Sequence, residues 1–431
     1  MSGFVIRGGT VVDPANRLHG RCDVVVRDGV IAAVEADTAA VHDAESFDAR
    51  GCLVVPGLID IHVHLREPGY EYKETVESGT RAAVAGGFTS VACMANTNPV
   101  NDSAAVTDYI RERAAAAGLA RVYPIGAVSK GLNGEELAEI GEMHRSGIVA
   151  VSDDGMPITN GGLMRRALEY AAMFNLPVIV HEEDRSIGGD GVMNEGALSL
   201  RLGLKGTPAA AEEAMVARDI ALLERTGGRL HIAHLSTAGS VASVRAAKQR
   251  GLAVSAEVSP HHFTLTEDAV DGYNTNAKMN PPLRTSRDVA AVRQGLADGT
   301  IEVIATDHAP HHRDEKEVEF DQAANGIVGL ETALPLALRL VDEAQIPLET
   351  IVAALTINPA RVLSLPHGTL SVGAPADVTV IDPKRQWTVT ATHFRSKSRN
   401  TPFEGMQMQG QAVLTMVGGR IVYRADEGTH A

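Results

Sequence analysis

The chain of 431 residues is 44% hydrophobic, enough for a sizeable interior, and its length suits a (β/α)8 barrel with a smaller domain better than one ordinary core. With 39 Lys and Arg against 54 Asp and Glu the net charge is −15, which argues against a nucleic-acid or anionic-membrane surface but leaves room for a local cationic pocket holding a small anion. Three scattered cysteines, Cys22, Cys52 and Cys93, suggest neither a disulfide framework nor a thiolate zinc site, and without a basic leader or a run of about 18 apolar residues the expected compartment is the reducing cytoplasm.

The N-terminal segment reads as short alternating strands, Phe4 to Arg7, Arg21 to Val26 and Val30 to Val34, with Gly8-Gly9 and Asp28-Gly29 as turns. The same texture returns beyond Gly368, in Ala376 to Ile381, Gln386 to Thr390, Ala412 to Val417 and Arg420 to Tyr423. Either end alone has few strands with which to bury a face, so residues 1–54 and 365–431 are expected to build one small β-domain together.

Between them strands alternate with helices. The expected strands are Leu58–His64, Thr89–Ala95, Arg121–Ala127, Gly147–Ser152, Pro177–His181, Arg229–His234, Ala253–Glu257 and Ile301–Asp307. Helical spacing marks Thr75–Ala85, Ala104–Ala116, Leu163–Phe174, Ala209–Arg225, Ser240–Gln249 and Arg287–Ala297, several of them closed by Gly. Eight βα units over residues 55–364 predict a closed parallel barrel, with its chemistry at the C-terminal strand ends.

Those ends carry metal-type ligands. Strand alternation aims His62 and His64 the same way, with Asp60 beneath them, and apolar runs also finish at His181, His234 and Asp307. Asp153 and Asp154 follow the fourth strand. Imidazole and carboxylate without thiolate suit Zn²⁺ or a similar ion in a catalytic site, where bound water has its pKa lowered to about 7. Among the 16 histidines, single ones such as His144, His367 and His393 read as ordinary surface or hydrogen-bonded residues.

Val55-Pro56-Gly57-Leu58-Ile59-Asp60-Ile61-His62-Val63-His64-Leu65-Arg66-Glu67-Pro68-Gly69 resembles the opening motif of the cyclic amidohydrolases, and its Arg-Glu-Pro-Gly ending is particularly like the dihydroorotases. Ala305-Thr306-Asp307-His308-Ala309-Pro310-His311 and Asn325-Gly326-Ile327-Val328-Gly329-Leu330-Glu331-Thr332 resemble later signatures of that family. The likeness spans nearly the whole chain and best matches the long, class I bacterial type. It implies reversible ring closure of N-carbamoyl-L-aspartate to L-dihydroorotate in pyrimidine biosynthesis.

The resemblance also implies site roles. It makes His62 and His64 ligands of one Zn²⁺ and His181 and His234 ligands of a second, two per chain. An aspartate of Ser152-Asp153-Asp154-Gly155 would bridge them, with Asp154 favoured by the family match. Many relatives bridge with a carbamylated lysine, but no lysine lies between Lys130 and Lys205. Asp307 would be the general acid/base and contact the first metal. The substrate would be met by His64, Arg66, Asn96 and His311, with Asn280 and the backbone at Asn325 and Gly326 reading the ring amide. His261, His262, His308 and His312 receive no direct role.

The polar segment from His311 to Gln322 reads equally well as a lid or as a solvated loop. Two other functions stay in view: another cyclic amidohydrolase, acting on dihydropyrimidines, hydantoins or allantoin, and an inactive scaffold for aspartate transcarbamoylase. The resemblance leaves open a homodimer and an association with that enzyme.

Overall fold

The structure, a computed structural model, describes residues 3–36 and 45–425. Eight parallel strands form its centre: β1 (Leu58–Val63), β2 (Phe88–Cys93), β3 (Arg121–Pro124), β4 (Val151–Ser152), β5 (Pro177–Val180), β6 (Arg229–Ile232), β7 (Val254–Val258) and β8 (Val303–Ile304). β1 to β3 pair in order, and so do β4 to β8. Two isolated bridges join these arcs, Gly126 with Val151 and Val63 with His308, and His64 N donates to His308 O at 2.8 Å. The ring is therefore a (β/α)8 barrel.

Helices α1 (Val76–Ala85), α2 (Ala104–Ala117), α3 (Ile140–Ser146), α4 (Gly161–Ala172), α5 (Ala209–Thr226), α6 (Ala238–Gln249), α7 (Ser286–Asp298) and α8 (Ala333–Glu343) accompany the ring. Their starts are written locally: Thr75 and Ser78 form a reciprocal capping box at α1, and the Asn160 side chain accepts from Gly162 N and Leu163 N at α4. One apolar cluster unites alternate strand residues, including Ile59, Ile61, Ala92, Met94, Ile125, Ala150, Ile179, Ala233, Val303 and Ala305. These fill the barrel, while Leu58, Val91, Val178, Ile232 and Val258 join the helices in the larger outer core.

The two terminal segments share one sheet. Its order is Arg420–Arg424, Gln407–Val417, Val378–Thr388, Leu53–Pro56, Phe4–Asp13, Leu18–Arg27 and Val30–Glu35, with Glu45–Asp48 also on Phe4–Asp13. Leu53–Pro56 is the seam, running antiparallel to the C-terminal half with Val54 opposite Val380. Gly8-Gly9 is a bulge inside a single ten-residue strand rather than a turn. Gly8 takes φ +68°, and a Cβ on Gly9 would lie 2.5 Å from Val54 Cγ2, so both positions suit glycine. Asp28-Gly29 is a true hairpin turn, both residues having positive φ.

Candidate metal centre

Four imidazoles converge on Asp154. One carboxylate oxygen lies 3.4 Å from His62 Nε2, 3.6 Å from His181 Nδ1 and 3.6 Å from His234 Nε2, and the other lies 3.5 Å from His64 Nε2. His62, His64 and Asp154 offer ligand atoms within 4.8 Å of one another, and so do Asp154, His181 and His234. Asp307 completes the cluster, with Oδ1 3.1 Å from His64 Nε2 and 3.5 Å from His62 Nε2.

Simple alternation delivers only part of this set. His181 and Asp307 continue the inward positions of Ile179 and Ala305, and Asp154 those of Ala150. His234 directly follows inward Ala233 and reaches the centre only because its φ is +33°. Asp307 and Arg66 also have positive φ, +49° and +63°. Such backbone costs roughly 1–3 kcal/mol per residue and concentrates where side chains must be re-aimed. On β1 an extra residue between Asp60 and Val63, relative to β2, breaks the expected alternation. Asp60 consequently accepts from Thr306 N at 3.2 Å and from His62 N at 3.0 Å, tying β1 to β8. Burial raises its carboxyl to about 7.

The neighbouring aspartates differ in partners. Asp153 Oδ1 accepts from Val128 N at 2.8 Å and Ser129 N at 3.0 Å, and its other oxygen accepts from Ser129 Oγ, so this side chain braces the loop after β3. Burial acts to raise the Asp154 carboxyl, but the surrounding imidazoles of His62, His181 and His234 outweigh it and hold it well below the ordinary range. Asp307 is likewise lowered against its burial, by His62, His64 and His234. Both carboxylates are therefore anionic at neutral pH.

The donor set fits a divalent metal. His62 Nε2 and Asp154 Oδ1 are buried without a hydrogen-bond partner among the described residues, which is costly unless a cation takes them up. His62 Nδ1 pairs with Glu257 Oε1 at 2.6 Å, leaving Nε2 as the donor that faces inward. His64 Nδ1 is similarly held by Asn96 Oδ1 at 2.9 Å. Glu257 had no expected role, although it too ends a barrel strand. Its second oxygen meets His231 Nε2 at 3.1 Å, a contact between β6 and β7 that adjacent sequence does not reveal.

Arg66 lies at the rim, its Nε donating to Pro310 O at 3.1 Å and its Nη2 lying 3.3 Å from His311 Nε2. His311 Nε2 also meets Asn325 O at 2.8 Å. Burial first, then the charges of Arg66, Lys73 and Lys316, lower His311 to about 2, so its ring is neutral in a cationic neighbourhood despite the chain's net charge of −15. Asn280 Nδ2 stands 3.2 Å from His181 Nε2 and 3.0 Å from Glu183. Gly326 N donates to Lys278 O at 3.0 Å, so that amide is engaged within the protein. His308 contacts Glu74 and accepts from Gly329 N, while His262 Nε2 meets Pro281 O at 3.0 Å. His261 is buried, and His312 N donates to Glu315.

Residues 51–240 match the model of the family described as dihydro-orotase-like, and residues 198–423 match that of the amidohydrolase family. The chain is 60% identical to a dihydroorotase of Syntrophotalea carbinolica, over 98% of this chain and 100% of that one. It is 59% identical to a dihydroorotase of Anaeromyxobacter dehalogenans, over 98% of each. The structure resembles an L-hydantoinase (dihydropyrimidinase) from Arthrobacter aurescens with a TM-score of 0.88 at 27% identity, covering 98% of this chain and 96% of that one. A dihydropyrimidinase from Brevibacillus agri, at 23% identity and a TM-score of 0.85 over 98% and 95% of the two chains, shares the fold.

Proposed function

This chain belongs to the dihydroorotase family of amidohydrolases, and on that premise we infer that it interconverts N-carbamoyl-L-aspartate and L-dihydroorotate, a step of pyrimidine biosynthesis. The observation that carries the reading is one carboxylate, Asp154, between two pairs of imidazoles, with the guanidinium of Arg66 at the rim of the same site. The reaction makes or breaks a ring amide beside a carboxylate that is left unchanged. A metal pair for the amide and a cationic fork for the carboxylate are the two devices that this requires.

In this reading His62 and His64 would hold one Zn²⁺ and His181 and His234 a second, with Asp154 shared between them and Asp307 assigned to the first. Bound there, the ions would polarise the ring carbonyl and supply a water that ionises near neutral pH. Asp307 would take the proton of the attacking water and deliver it to the departing ring nitrogen. Arg66, Asn96 and His311 would hold the carboxylate. Asn96 can do so through Nδ2 while its Oδ1 stays on His64 Nδ1.

Elemental analysis is expected to find two metals per chain, and Glu257→Gln to weaken metal binding about 10- to 100-fold by loosening the His62 ring. Competition with a chelator reads this directly. One metal per fully active chain would remove the binuclear arrangement, and unaltered affinity in Glu257→Gln would remove the assigned support of His62.

The reaction itself sets a pH dependence. Opening the ring frees a carboxyl group that ionises and releases a proton, so closure consumes one. Between pH about 6 and 9, well above a free carboxyl pKa of roughly 4, the equilibrium ratio of open to cyclic form is expected to rise about tenfold per pH unit. Chromatographic quantification of both species after equilibration from either side gives the ratio. A flat profile would contradict the assigned reaction.

A further inference from the structure

The segment after Asp307 contains a buried cation that the proposed chemistry does not use. Lys316 ends the short helix Arg313–Lys316 and is 3% exposed. Its Nζ donates to Ala324 O at 2.7 Å, Gly326 O at 3.2 Å and Lys278 O at 3.4 Å. Among the described residues no carboxylate comes within 4.0 Å of it, and the side chain of neighbouring Glu315 pairs instead with Lys73 at 2.6 Å. Burial, together with nearby Lys278, lowers the ammonium to about 7. A methionine could fill similar space without the penalty of burying a charge, so core stability is a poor explanation for this residue.

The carbonyls that Lys316 gathers belong to the backbone lining the rim. Gly326 O accepts from Asn400 Nδ2 at 3.0 Å as well as from Lys316, while Gly326 N donates to Lys278 O. Asn400 also binds Ala309 O at 3.0 Å and accepts from His311 N at 3.1 Å. Asn325 O, between the tethered residues 324 and 326, meets His311 Nε2 beside Arg66. Gly326 has φ +120°, and a Cβ there would approach Ala309 Cβ to 2.5 Å, so this backbone is held in one particular shape. We propose that Lys316 is a positioning residue: by gathering the Lys278, Ala324 and Gly326 carbonyls it sets the 324–326 backbone against His311, and through it the pocket for the substrate carboxylate.

This rests on the dihydroorotase reading for its substrate but not for its structural half, and the test separates them. Hydrogen exchange of a peptide spanning residues 322–328 is followed in the metal-loaded protein without substrate, alongside dihydroorotate kinetics. Lys316→Met is expected to exchange this segment about tenfold faster, and to raise KM about tenfold with kcat within about threefold of wild type. Metal content should not change, because no contact of Lys316 is with the imidazole cluster. Lys316→Gln, which keeps two N–H donors, should fall between the two proteins, and it carries the same comparison if Lys316→Met does not fold. Wild-type exchange in a folded variant, or an unchanged KM, overturns the assignment. If the wild type does not act on dihydroorotate, the substrate reading fails and the exchange rates alone decide the role of Lys316.

Discussion

Dihydrouracil, which has the ring of dihydroorotate but no carboxylate, is expected to be turned over about 10⁴-fold or more less efficiently than dihydroorotate, because sites built around a polar partner reject analogues that lack it by that order. The expectation rests on the cationic rim. Arg66 is fixed through Nε on Pro310 O, and its guanidinium lies against a neutral His311. A ligand without a carboxylate leaves that field unanswered and cannot be clamped in register with Asp307. Arg66→Met should correspondingly remove most activity on dihydroorotate while metal content stays near normal, since His62 and His64 keep their own supports in Glu257 and Asn96. Comparing kcat/KM for the two substrates, in wild type and variant, checks both halves. Equal efficiency on dihydrouracil, or unchanged kinetics in Arg66→Met, would overturn the substrate reading in favour of another cyclic amidohydrolase activity, such as that named for the similar L-hydantoinase (dihydropyrimidinase).

Asp307→Asn is expected to fold and bind metal but to lower kcat by about 10² or more, the usual range for a lost acid/base group. The substitution keeps the shape of the side chain. It removes the oxygen pair that can take a proton on one side and pass it to the other. Asp307 is suited to that role by its place: its Oδ1 lies 3.1 Å from His64 Nε2 and 3.5 Å from His62 Nε2, beside the two residues assigned to the first metal. It continues the inward position of Ala305 at the end of the eighth strand. Single-turnover kinetics with metal content measured on the same sample separate a lost proton shuttle from a lost metal. Wild-type turnover at full metal loading would take Asp307 out of the role.

The barrel and the residue types at its mouth were legible in the sequence because both are local signals. A strand in a parallel barrel is a short apolar run, and a candidate ligand at its end is the polar residue that stops the run, as at His62, His181 and Asp307. The split β-domain was legible by the same alternation. Its seam was not: the strands Leu53–Pro56 and Glu45–Asp48 lack the turn signals that mark hairpins, and they are paired by chain that returns from far away.

What only the tertiary structure decided is how the side chains are aimed and supported. Alternation put Asp60 beneath the two histidines, but a bulge turned it to Thr306. It could separate the directions of Asp153 and Asp154 but not say which lay among the imidazoles, because that depends on where β1, β5 and β6 arrive around the ring. Glu257, 195 residues from His62, and Asn400, 91 residues from Ala309, carry no local pattern of function at all. Period and composition report on the neighbours of a residue along the chain. Hydrogen-bond partners this distant are brought together only by closure of the barrel and the return of the C-terminal segment over its mouth, which is why the candidate ligand types are written in the sequence and their supports in the fold.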